Sequence, residues 1–144
     1  MKALVILFVY TVFFLNITEV QEEFHRLNNE DEELTFIEKY HGDLNPSVQA
    51  YICAVEMKQA EYRFNPMSKL RIFKKTKNKL EELILNNPKN IDLRYVRLLL
   101  QEKTPELLGY KNNIEEDKLF LQNELSLNNI SKDLELYIHK NTSI

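Results

Sequence analysis

Along this chain, stretches with an apolar residue at every third or fourth position alternate with short breaks rich in Asn, Pro and Gly. That spacing is the mark of amphipathic helices, and the breaks are helix ends. The pattern is sharpest from Phe64 to Lys118, where Asn65-Pro66, Asn86-Asn87-Pro88 and Thr104-Pro105 cut it into short pieces. Before it, Glu19–Leu27 reads as a weak acidic helix. A second helix opens on Glu30-Asp31-Glu32-Glu33, carries Leu34, Ile37 and Tyr40 inward, and stops at Gly42. Four acids in a first turn suit the positive end of a helix dipole. Asn45-Pro46 then forms a cap and first-turn pair for a helix whose inner stripe is Val48, Tyr51, Ile52, Val55 and Tyr62, with Ala50 and Ala54 allowing close approach.

Beyond Asn65-Pro66 the spacing predicts a helix to about Leu85 with Leu70, Phe73, Leu80, Leu83 and Ile84 inward. The next, Ile91 to about Glu102, is apolar on most sides and should be the most buried. A short turn after Pro105 is stopped by Gly109, Asn113 caps a helix running to Leu127, and Ser131 caps a last one ending near His139. Short breaks make neighbouring helices antiparallel. The expected architecture is all-α, with five or six helices in stacked hairpins forming one domain over residues 19–144.

The first residues read differently. Met1-Lys2 is followed by an apolar stretch of thirteen residues, Ala3–Leu15, interrupted only by Thr11. One positive charge and an apolar stretch of roughly 7–15 residues is the pattern of an export signal, whereas a spanning helix needs about 20. Residues 1–18 are thus expected to be a signal peptide, cleaved or kept as an anchor, which places the protein in the periplasm or outside the cell.

Composition narrows the function. There are 144 residues but only two glycines, four prolines, no Trp and one cysteine. Scarce glycine argues against a Gly-rich phosphate loop, and a single cysteine against an internal disulfide or a cysteine-based metal framework. Cys53 lies in the apolar string Tyr-Ile-Cys-Ala-Val and reads as a core residue. Charge is segregated: residues 1–45 hold three bases and nine acids, residues 46–112 thirteen and seven, and residues 113–144 three and six. The basic middle either lies against the acidic ends or attracts an anionic partner.

Arg94, Arg97 and Gln101 share one face of an otherwise apolar helix. Buried guanidiniums need acceptors, and Glu115, Glu116 and Asp117 are one chain reversal away. An ion-paired brace is one reading; a pocket in which Arg94, Arg97 and Tyr110 clamp a small anionic ligand is the alternative. Lys74 and Lys75 sit in the densest basic segment, Lys69 to Lys79, a solvated face or a contact for an acidic partner or anionic lipid. Glu22 with His25, and Glu38 with His41, repeat a Glu-x-x-His spacing. The copies lie too close together to supply the two long facing helices of a di-metal bundle. No serine carries a nucleophile elbow and no triad is visible.

Two resemblances attach to particular residues. Lys75–Leu100 resembles a tetratricopeptide-type unit, with Leu80, Leu83 and Ile84 at the packing positions of its second helix and Pro88 at its turn; Thr76, Arg97 and Leu98 stand where that repeat carries small residues. Phe64-Asn65-Pro66, Phe73-Lys74-Lys75, Arg94-x-x-Arg97 and Leu108-Gly109-Tyr110 through Asp117-Lys118 resemble a family of small exported bacterial helical proteins. These resemblances imply export and a hairpin fold and carry no mechanism. The sequence thus points to a non-catalytic envelope protein, without cofactor or nucleic-acid ligand, that binds another protein or peptide. A purely structural helical domain is the plainer alternative.

Overall fold

A computed structural model describes residues 16–144, so the apolar stretch Ala3–Leu15, and with it nearly all of the expected signal segment, lies outside the described residues. The described chain forms seven α-helices and, within those residues, no strand. They are α1 (Ile17–Arg26), α2 (Glu30–Tyr40), α3 (Pro46–Lys58), α4 (Pro66–Asn86), α5 (Ile91–Lys103), α6 (Ile114–Ser126) and α7 (Lys132–Asn141). One-turn 3-10 segments follow α3 (Gln59–Tyr62) and α5 (Glu106–Leu108). The expectation of five or six helices is therefore corrected to seven. The weak acidic segment is a full helix, closed at its start by the Asn16 side chain, which accepts from the Thr18 amide at 3.2 Å.

Local chemistry sets most helix starts. Asn45 and Asn65 each stand before a proline and accept from the amide two residues on, at 2.9 and 2.8 Å. Asn29, Asn90 and Ser131 cap α2, α5 and α7 by reaching the amide three residues on. Each satisfies one of the four amide donors that a helix start leaves unpaired. Gly109 takes the left-handed conformation, φ 61°, that ends the short turn after α5 and that side-chain-bearing residues adopt at a cost.

Helix α3 is the hub, packing against α1, α2, α4 and α5. Val48 and the run from Ala50 to Val55 are all buried, because the helix has neighbours on every side and its two alanines let them close in. α5 lies against α3, α4 and α6, and α7 returns to α1. One continuous core results, running from Val20 through Tyr51, Leu80 and Leu98 to Ile138. A second small cluster, Met57, Phe73 and Tyr110 with Leu70 and Leu100 beside it, forms where the ends of α3 and α5 meet the first half of α4.

Leu34 departs from expectation, being 46% exposed. The inward stripe of α2 is Glu33, Phe36 and Tyr40. Glu33 is fully buried because three donors converge on it: Gln59 at 2.7 Å, Tyr62 at 3.1 Å and Lys58 at 2.6 Å.

Candidate functional site

The two arginines of α5 meet acids from two other helices. Arg97 donates from Nε and Nη2 to the two oxygens of Asp117, at 2.7 and 2.8 Å, and from Nη1 to Glu81 at 2.9 Å. Arg94 donates from Nη2 to Glu116 at 2.7 Å. Its Nε lies 2.7 Å from Asp117 without an aligned hydrogen bond, and its guanidinium sits 4.9 Å from the centre of the Phe120 ring. Asp117 is fully buried and Arg97 is 3% exposed. Loss of water pushes the Asp117 carboxyl above its ordinary value despite the pull of both guanidiniums. Arg97 is held more firmly protonated by its carboxylate partners, which outweigh its own burial. On Glu116 the hydrogen bond from Asn113, helped by Arg94, lowers the carboxyl.

Tyr110 joins the same network, its hydroxyl donating to Glu81 at 2.5 Å. Gln101 is fully buried and exchanges two hydrogen bonds with Asn113, side chain to side chain at 3.2 Å and from the Asn113 amide at 3.0 Å. Asn113 thus stands at the start of α6 without capping it, because its side chain is taken by Gln101 and Glu116. Of the three acids expected to face the arginines, Glu116 and Asp117 do so and Glu115 turns to Lys118. Arg94, Arg97 and Tyr110 are therefore brought together, with carboxylates as their partners. Lys74 and Lys75 stand apart, on the outer face of α4.

A concave feature of the described residues lies elsewhere. A groove of about 750 Å³ runs between the C-terminal parts of α1, α3 and α5 and the first turns of α4. Its floor is apolar, with Phe24, Ala54, Val55, Leu70, Phe73 and Leu100, and Lys58, Lys69 and Lys103 stand on its rim with a single acid, Glu61. Lys58 is tied to Glu33, whereas Lys69 and Lys103 have no ion-pair partner among the described residues. An apolar floor with a few polar groups at the edge is the usual form of a binding site. Sequence periodicity does not reveal it, because pieces of five helices and of the segments after α3 and α5 make it.

One end of the groove is closed by His25. Its ring stacks on Tyr137, centroids 4.0 Å apart, and its Nε2 lies 3.2 Å from the Tyr95 hydroxyl. Burial, reinforced by Lys103 and Lys140, pushes the imidazole down to about 4, so it is neutral at physiological pH. The folded value lies below that of the unfolded chain, so acid favours unfolding. The stability is complete above pH 6.5 and is lost as pH falls from there towards 4. The wild type should lose about 1–2 kcal/mol more than His25→Phe between pH 7.5 and 4.5, once the ring's partial exposure is allowed for. Urea titrations at the two pH values measure this, and parallel losses in both proteins would refute it.

Neither Glu-x-x-His pair is assembled into a metal site. Glu22 pairs with Arg26, the His41 ring contacts the Glu38 carbonyl, and no cluster of three or more metal-ligating side chains occurs among the described residues. Cys53 is buried and unpaired, and burial pushes its thiol up to about 12. No protein-family model, curated protein or solved structure matches this chain.

Proposed function

We propose that this protein is a non-catalytic binding module of the cell envelope, and that its groove receives a segment of another protein. The groove itself carries this reading. Its apolar floor is open enough for side chains presented by a helix or an extended strand, and Lys69 and Lys103 on its rim favour a segment with acidic residues beside the apolar ones. Helix order supports it as well. α1 touches α3 and α3 touches α5, while α2 and α4 also pack on α3. Successive hairpins of a tetratricopeptide stack make contacts of this kind and bind partners along the inner face; here α7 also packs back on α1. Export rests on Met1-Lys2 and the apolar stretch Ala3–Leu15. The arginine cluster is a brace in this scheme, its guanidiniums engaged by Glu81, Glu116 and Asp117.

The test is site-specific photocrosslinking in the native envelope. A benzophenone side chain at Leu70, on the groove floor, should give a reproducible protein adduct. One at Leu119, exposed on α6, should not. Equal labelling from both positions, or none from Leu70 in a correctly exported protein, would remove the groove from consideration.

A further inference from the structure

The geometry points to a second property, independent of what fills the groove: the two loops that border it form an edge that docks on an anionic phospholipid bilayer. One loop, between Tyr62 and α4, carries Phe64 and leads into Met67, which are 102% and 72% exposed; the other, after α5, carries Leu107, 96% exposed. Their neighbours Pro66 and Leu108 both line the groove, so the two loops flank one opening. The remaining exposed leucines are spread one apiece over α2, the α2–α3 loop, α4, α6, its C-terminal cap and α7. Phe64 and Leu107 are the two most exposed large apolar side chains among the described residues, and they stand on the two segments that border one groove.

The chemistry beside them suits a headgroup layer. Arg63, Lys69, Lys103 and Lys111 occupy or adjoin these loops, against Glu61, Glu102 and Glu106. Apolar tips next to cations allow the tips to enter the acyl boundary while the cations stay among phosphates. The loops belong to the basic middle segment (+6), whose excess is carried largely by α4, the helix that starts at one of them. No helix among the described residues is long and apolar enough to cross a membrane. A fluid bilayer accepts side chains from two separate loops without needing a partner surface shaped to both.

The absence of Trp makes the test local. Phe64→Trp in the full-length chain places the sole indole at the loop tip. With vesicles of phosphatidylglycerol and phosphatidylethanolamine its emission should shift to the blue and be quenched by brominated lipids. Leu119→Trp, on α6, should do neither. Phe64→Ser with Leu107→Ser should weaken vesicle partitioning roughly tenfold at an unchanged melting temperature, and raised salt should weaken the wild type. Vesicle binding in which the indole of Phe64→Trp stays water-exposed would overturn the proposal and assign the attachment to the apolar N-terminal stretch. So would binding to neutral vesicles as tight as to anionic ones, or shielding of that indole only in a protein complex. Groove crosslinking from Leu70 is read separately, so either idea can fail alone.

Discussion

Asp117→Ala is expected to destabilise the protein by about 3–5 kcal/mol, lowering its melting temperature by roughly 10 °C or more. The carboxylate is fully buried and bridges Arg94 and Arg97. Removing it leaves two largely buried guanidiniums facing each other, one of them held only by Glu81 and the distant edge of Glu116. Each guanidinium keeps one partly exposed carboxylate, Glu116 for Arg94 and Glu81 for Arg97, but loses its buried partner, and breaking a buried pair is costly. Replacing all three residues together, Arg94→Met, Arg97→Met and Asp117→Leu, should recover most of that loss, because well-packed apolar groups often match a buried ion pair. Thermal melts of the two proteins decide the role of the cluster. If Asp117→Ala melts with the wild type, the arginines are not a brace, and a ligand-holding role for Arg94, Arg97 and Tyr110 returns to favour.

That cluster also marks how far sequence reasoning reaches. Guanidiniums on an apolar helix must find acceptors, so pairing with the acids that open α6 is legible. Glu81 is not, because it comes from α4, sixteen residues before Arg97, and nothing in its local pattern sets it apart. The caps at Asn45 and Ser131 are legible because a short polar side chain before a periodic run has one dominant use. Asn113 looks the same and behaves otherwise, since a buried glutamine from α5 claims it. Leu34 departs from its expected place for a related reason. Hydrophobic spacing assigns the inner stripe of α2 to its leucine, and a glutamate takes that place once Lys58, Gln59 and Tyr62 arrive as donors.

The groove lies at a deeper level still. Its floor contains ordinary core-type residues, such as Ala54, Val55 and Leu100, which periodicity reads as buried against a neighbour. Whether a neighbour is present depends on how α1, α4 and α7 close around α3 and α5. The contact between His25 and Tyr137 spans most of the described chain. Apolar spacing carries no information on such a meeting, and so none on the concavity beside it.

Three of the helices that line the groove are held in register by a buried trio in their N-terminal halves, and it supplies the second large prediction. Asp92 Oδ1 accepts from the Gln21 side-chain amide at 2.7 Å and from the Tyr51 hydroxyl at 2.6 Å, joining α5 to α1 and α3. Burial, then the Asp92 charge and hydrogen bond, push the Tyr51 hydroxyl well above its ordinary value, so it remains a donor at any physiological pH. Asp92→Ala orphans both buried donors and removes an acid from the first turn of α5. A loss of about 2–4 kcal/mol should follow. Tyr51→Phe takes away one of the orphans, so Asp92→Ala with Tyr51→Phe should cost less than the sum of the single changes, by about 0.5–3 kcal/mol. Urea titration of the four proteins closes the cycle. Strict additivity would mean that Asp92 acts only through the charge at the helix start. A positive coupling, with faster amide exchange in α1, would identify this trio as the clamp that keeps α1 against α3 and so maintains the wall of the groove.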